Sequence, residues 1–321
     1  MLKKIIGTTA FCLALVFGTG TVLADSFMVD LTHPIPTFKP MAGEPLKPDM
    51  SQPWFDSKPI PTFGQQTVLS IGQFPTNWGV FDLGLLVLSE HHGTHMDTPA
   101  HYMNTPETVE KDGIPPDKRP TANQLGADDL VGRVVLIDIS GRVQTELGKN
   151  GGKPHPDPNV TDFGEKSINV VTTDDISAVA DQLDNDIWLV LNFGWSDYYF
   201  KGADFAKDPY INSWNHPGIS KAAIDKLIEI ENSKGIRIQG IVADNIGIES
   251  GESARGIDDK WTDSWYAHKR GLQRGWKYVE NAANLGQLAM AKPGSCTLVV
   301  GAPKHVRGTG GPSRVIALCE K

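Results

Sequence analysis

The chain reads as an α/β domain with a mixed sheet and long loops, and three observations predict it. Short β-branched runs alternate with amphipathic stretches of 3.6-residue period in the second half. Residues 103–128 and 141–169 show no such period and exceed ordinary connections in length. Residues 25–66 carry Pro34, Pro36, Pro40, Pro45, Pro48, Pro53, Pro59 and Pro61, which exclude a long helix.

The elements follow in order. Lys3 and Lys4 precede an apolar run from Ile5 to Leu15, and Val22-Leu23-Ala24 ends it just before Asp25. Residues 1–24 therefore read as a Sec-type signal, its apolar run too short for a membrane anchor. The expectation is an exported chain, periplasmic or secreted, with 25–321 as one domain. Loss of Lys3 and Lys4 takes the formal net charge from -8 to about -10, which argues against nucleic acid or an anionic membrane as partner.

Ser26–Leu31 predicts a strand, followed by a proline-rich arm through residue 66 that covers a core or crosses to a neighbouring subunit. Thr67–Gln73 and Leu83–Ser89 predict two more strands. Arg133–Ile139 is a buried strand by its β-branched content, and Asp174–Leu183 a short helix with an acidic cap. Ile187–Phe193 is again a strand. Ser220 caps a helix whose Ile224, Leu227, Ile228 and Glu231 keep the helical period up to Lys234-Gly235, and Ile236–Ala243 returns as a strand.

Cys296–Val300 and Arg314–Cys319 are apolar β-like runs. If Val300 pairs with Val315, the same register sets Cys296 opposite Cys319, either as a disulfide or as two neighbouring thiols. Arg307-Gly308-Thr309-Gly310-Gly311-Pro312 lacks the Lys-Ser/Thr ending of a phosphate loop and predicts a hairpin turn.

The densest chemistry lies in His91-His92-Gly93-Thr94-His95-Met96-Asp97-Thr98-Pro99-Ala100-His101, which holds four of the chain's nine histidines. Nitrogen and oxygen donors at this density suit a divalent metal. In an extended chain 91, 95, 97 and 101 share a face, and His92 points away. In a helix Asp97 would leave the face shared by His91 and His95, and Pro99 would end the turn.

His91, Gly93, Thr94, His95, Asp97, Pro99 and His101 fit the pattern His-x-Gly-Thr-His-x-Asp-x-Pro-x-His. In this the chain resembles the cyclase-like metal-dependent hydrolases, which include bacterial kynurenine formamidase (arylformamidase) and isatin hydrolase. Asp30-Leu31-Thr32-His33-Pro34, Phe193-Gly194-Trp195-Ser196, His216-Pro217-Gly218 and Pro312-Ser313-Arg314-Val315 extend the resemblance over most of the chain. It implies a swivelling β/β/α-type domain and hydrolysis of a carbon–nitrogen amide bond. Three ligands from one segment, His91, His95 and Asp97, leave open positions at a Zn or Mn ion. The resemblance adds His268 and Glu280, twelve residues apart, as ligands of a second ion, with Asp97 bridging the two. It gives His101 the catalytic role of moving a proton from the attacking water to the leaving nitrogen.

The resemblance further implies an aryl formamide such as N-formylkynurenine as substrate, and a homodimer or homotetramer. The alternatives are a one-manganese enzyme opening a cyclic amide, as isatin hydrolases do, and a non-catalytic periplasmic metal- or ligand-binding protein. Trp195 and His216 are candidate substrate contacts, among eight tryptophans. A serine hydrolase is disfavoured by the lack of a Gly-x-Ser-x-Gly turn. The chain is longer than compact kynurenine formamidases, and the expected export is unusual for tryptophan breakdown.

Overall fold

The computed structural model describes residues 25–34, 67–76, 79–87, 89–102, 109, 111, 113–199, 209–255 and 264–321, with the backbone alone for 67–76, 79–87 and 255. The signal expected over 1–24, most of the proline-rich arm, Trp78 and Trp261 lie outside the described residues.

The strands are β1 Ser26–Asp30, β2 Thr67–Thr76, β3 Gly79–Val87, β4 His95–Asp97, β5 Val131–Asp138 and β6 Ile187–Asn192. They continue as β7 Gly240–Ala243, β8 Lys277–Glu280, β9 Thr297–Gly301, β10 Gly310–Pro312 and β11 Arg314–Glu320. The helices are α1 Ser140–Gly148, α2 Thr173–Ala178, α3 Lys221–Lys234, α4 Gly251–Arg255 and α5 Tyr266–Leu272. Nine strands form one sheet in the order β1-β11-β9-β5-β6-β7-β8-β4-β10, while β2 and β3 pair apart as a hairpin. The four central strands β5 to β8 run parallel, and the flanking strands are antiparallel. The sheet is mixed and the class α/β, as the strand–helix alternation predicts.

Parallel strands are covered on both faces and lose the apolar–polar alternation. All six residues of β6 are buried accordingly. Leu189 and Leu191 face the helical layer with Ile224, Leu227 and Ile228, whereas Trp188 and Val190 face a second cluster with Leu285, Leu298 and Val315. α3 begins where expected: Ser220 Oγ accepts the Ala223 N–H at 3.1 Å, and Gly235 closes the helix in the left-handed conformation at φ 66°.

Four expectations need correction. α2 stops at Ala178 before a 3-10 turn, Ala180–Gln182, and its cap is Thr172, which forms a capping box with Asp175. α1 occupies part of a stretch that reads as irregular, because Val143 and Leu147 are its only buried apolar residues and a two-residue stripe is a faint periodic signal. β7 starts at Gly240 and not at Ile236, since Ile238 gives its N–H to the Glu231 carboxylate. Residues 307–312 are not a simple hairpin turn. Their second half is β10, which leaves the β9–β11 pair and docks on β4.

The β9–β11 register places Val300 opposite Val315 as expected, and Cys296 and Cys319 form a disulfide with Cα atoms 4.1 Å apart. The bridge closes a 23-residue separation. Changing both cysteines to serine should therefore cost about 3 kcal/mol, read as a lower urea midpoint. No loss of stability would show that the bridge constrains nothing.

Candidate metal centre

β4 carries the donors and its neighbours complete the set. Gly93 takes φ 62°, a conformation glycine adopts freely, and turns the chain so that its carbonyl points back at the segment it precedes. That carbonyl accepts from His95 Nδ1 at 2.9 Å and from Asn281 Nδ2 at 2.9 Å. Across the ladder His95 pairs with Glu280 of β8 and Asp97 with Gly310 of β10. Directly opposed residues share a face, so this register brings the Glu280 carboxylate to the histidines. Gly310 is needed opposite Asp97: a Cβ there would lie 2.5 Å from His91 Cε1.

Two metal-capable triads result, His91/His95/Asp97 and Asp97/His101/His268, each with its ligand atoms within 4.8 Å of one another. Asp97 belongs to both. Its Oδ1 lies 2.6 Å from His91 Nδ1 and 3.3 Å from His95 Nε2, and its Oδ2 lies 3.4 Å from His268 Nε2. Glu280 sits between His95 Nε2 at 3.5 Å and His268 Nε2 at 3.2 Å. His91, His95, Asp97, His268 and Glu280 are thus in one place. His101 joins them with its ring 3.8 Å from that of His91, in a position open to proton transfer and to ligation alike. His92 is buried and belongs to neither triad.

Proton positions follow from the partners. Carbonyl and carboxylate oxygens only accept, so His95 Nδ1 carries a hydrogen toward Gly93, and His268 Nδ1 one toward Glu249, 2.9 Å away. Both imidazoles therefore face Asp97 and Glu280 with Nε2, the atom at which a proton and a metal would compete. The two carboxylates are almost fully buried, and Asp97 Oδ2 and Glu280 Oε1 have no well-aligned hydrogen bond. Buried carboxylates that converge in this way repel unless positive charge, from imidazolium or a bound cation, lies among them. The donor set, imidazole and carboxylate without thiolate, fits Zn or Mn.

The electrostatics agree. Burial alone would raise the Asp97 carboxyl, but His101, His91 and His268 outweigh it and hold it well below the carboxylate range. Burial opposes a proton on His268, yet Glu249, Asp97 and Glu280 take its pKa well above the usual imidazole value. His95 also moves up, as Asp97 and Glu280 overcome its burial. Glu280 is raised by burial and then by Asp97. Burial takes His101 down to about 4, so its imidazole is neutral near pH 7.

The two candidate substrate contacts lie elsewhere. Trp195 is in the core against Phe163 and Tyr198, its indole N–H donating to the Tyr210 carbonyl at 2.8 Å. His216 is fully buried, and ring contacts by way of Trp214 and Trp265 connect it to His268. Sequence reasoning missed Glu249, which orients His268, and Asp244, which accepts the N–H groups of Phe193, Trp195 and Ser196. An acid following an apolar strand was the available signal for Asp244. Glu249 left none.

Residues 29–250 match a family described as "Putative cyclase", and the chain belongs to that family. No curated protein matches the chain. Among solved structures it is similar to isatin hydrolase A from Labrenzia aggregata bound to benzyl benzoate, at 22% identity and TM-score 0.59, over 92% of this chain and 94% of that one. It is similar to an isatin hydrolase bound to the product analogue thioisatinate, at 22% identity and TM-score 0.60, over 92% and 93%. A protein described as a "predicted metal-dependent hydrolase" from Bacillus stearothermophilus aligns at 18% identity and TM-score 0.50, over 92% and 99%. At these identities the likeness establishes a shared fold.

Metal and protons compete for the same lone pairs, which fixes the sign of a pH effect. His95 and His268 hold protons more tightly than a free imidazole. Affinity for Zn or Mn should therefore begin to fall above pH 6.5 on acidification and keep falling below it. Titration calorimetry across pH 5–8 checks this; an affinity flat over that range would contradict the proton assignments. Asp97→Ala should abolish metal binding in the same calorimetric titration.

Proposed function

We propose that this protein is a metal-dependent hydrolase of a carbon–nitrogen amide bond. The observation that carries the reading is the buried carboxylate of Asp97, which lies among the ring nitrogens of His91, His95 and His268. His91, His95 and Asp97 would hold one divalent ion, Zn or Mn, and His268 with Glu280 would complete a second position bridged by Asp97. An ion there would supply positive charge that polarises the substrate carbonyl and acidifies the attacking water. His101, neutral at neutral pH, takes the proton that water loses as its oxygen bonds to the carbonyl carbon. The same imidazole then gives that proton to the nitrogen as the C–N bond breaks, leaving a carboxylic acid and an amine. The metal side chains orient the attack, and the burial of Asp97 and Glu280 keeps competing water from them.

The substrate proposed is an aryl amide, with N-formylkynurenine as the linear case. A second reading is the opening of a cyclic amide such as isatin with one Mn per chain. It is favoured by the alignment with the isatin hydrolases, which spans more than nine-tenths of both chains. We further propose an exported, periplasmic or secreted protein acting as a homodimer or homotetramer. The Cys296–Cys319 disulfide supports an oxidising compartment. Among the described residues no helix is long and apolar enough to cross a membrane.

The test is to strip the mature protein of metal, reload it with Zn or Mn, and offer N-formylkynurenine and isatin separately. Metal-dependent turnover of the first identifies a linear formamide, and turnover of the second a cyclic amide. Turnover of neither, with metal still bound, would favour a binding protein over an enzyme. On whichever substrate is turned over, His101→Ala should keep metal affinity within about threefold and lower kcat by about 10²–10⁴. A fully active His101→Ala protein would remove His101 from the mechanism.

A further inference from the structure

His91 differs from the other histidines of the cluster in what lies behind it. His95 leans on a carbonyl and His268 on a carboxylate, whereas His91 Nε2 meets a hydroxyl, Thr309 Oγ1, at 3.0 Å. A hydroxyl can donate or accept, so by itself it fixes nothing. Thr309 is not by itself, however. Its Oγ1 donates to Glu90 Oε2 at 2.7 Å, and its backbone N–H donates to the same oxygen at 2.9 Å. The other oxygen of Glu90 lies 2.6 Å from His305 Nε2. The Thr309 carbonyl takes both the N–H and the Oγ1–H of Thr98, each at 2.9 Å, which locks the residue at the start of β10 beside the cluster.

A hydroxyl has one hydrogen, and the Glu90 carboxylate only accepts. The Thr309 hydrogen is therefore committed to Glu90, and its oxygen can only accept from His91. That places a hydrogen on His91 Nε2 and leaves Nδ1, which lies 2.6 Å from Asp97 Oδ1, as the ring atom where a metal would displace a proton. We propose that Thr309, oriented by Glu90, is a positioning residue that holds His91 in the Nε2–H form and so presents Nδ1 to the metal. The inference rests on the reading of His91, His95 and Asp97 as a metal site. It adds that the third imidazole is set by a hydroxyl relay running in from residues 90 and 309, at the rim of the cluster. Such outer partners of metal-ligating histidines typically contribute 10–100-fold in affinity.

The experiment compares Zn affinity, by competition with a chromogenic chelator, in the wild-type protein, Thr309→Val and Thr309→Ser. Valine keeps the shape and the backbone bonds of Thr309 and removes only the hydroxyl. Thr309→Val should bind Zn about 10–100-fold more weakly with the Tm of the metal-free protein unchanged, and Thr309→Ser should restore affinity to within about threefold. A merely structural role for Thr309 would move Tm and affinity together and would overturn the inference. Equal affinity in wild-type and Thr309→Val would overturn it while leaving the metal site intact. A wild-type protein that binds no Zn or Mn would remove both the site reading and the inference built on it.

Discussion

The constraint on which the rest of the structure depends is the Asp97 carboxylate, buried with a second carboxylate, Glu280, beside it. Two such groups in a low-dielectric interior repel each other, and removing either from water is expensive unless positive charge is brought to it. The chain meets that demand with imidazoles delivered from several directions. His91 and His95 come from the segment of β4 itself, His101 from the turn after it, and His268 from α5. The outer nitrogens of His91, His95 and His268 are tied to Thr309, Gly93 and Glu249. Their inner nitrogens are thereby all turned toward the carboxylates. Two buried carboxylates ringed by imidazole nitrogens are suited to a divalent ion and ill suited to a packed apolar core.

Part of this centre is legible in the sequence, because alternation along an extended chain is a strict rule over β4, which holds His95 and Asp97, whereas His91 comes before the turn at Gly93 and His101 after the chain has left the strand. Positions 91, 95, 97 and 101 have the same parity, and the observed cluster contains all four with His92 outside it. The hairpin register of the cysteines is legible for the same reason: once Val300 faces Val315, every later pair is determined. α3 is legible from its cap, its period and its closing glycine. His268 and Glu280 are a different case. Nothing in a His and a Glu twelve residues apart names a site, and only the resemblance to the cyclase-like hydrolases points to them. The β4–β8 register that makes Glu280 face His95 joins residues distant in sequence.

What could not be read has a common physical origin. Glu249 and Thr309 each act on one histidine, Glu249 by accepting the backbone N–H and the Nδ1–H of His268, and Thr309 by meeting His91 across 218 positions of chain. Contacts of that kind leave no period and no composition behind. Thr309 also sits among glycines, and a glycine-rich run reads as a turn. Here the glycines serve close approach, since Gly310 makes room for the His91 ring. Trp195 went the other way: a tryptophan near a motif suggests a pocket, but the area it buries and a carbonyl for its N–H hold it in the core.

The placement of the cluster within the sheet bears on how ion binding and folding are coupled. The parallel strands β5 to β8 form a deeply buried framework whose stability comes from apolar packing on both faces. The disulfide reinforces the side of the sheet where β9 and β11 pair. The cluster lies toward the opposite side, where β4 and β10 have three residues each and can form only a few ladder bonds. Segments so short owe their position to side-chain contacts as much as to the ladder. Glu90, Thr98 and His91 all fasten the start of β10 through Thr309, and Asp97 and His95 fasten β4 to β8 through their shared partners. The free energy of holding an ion would therefore act mainly on this edge, ordering β4, β10 and the residues between them, while the framework stands without it.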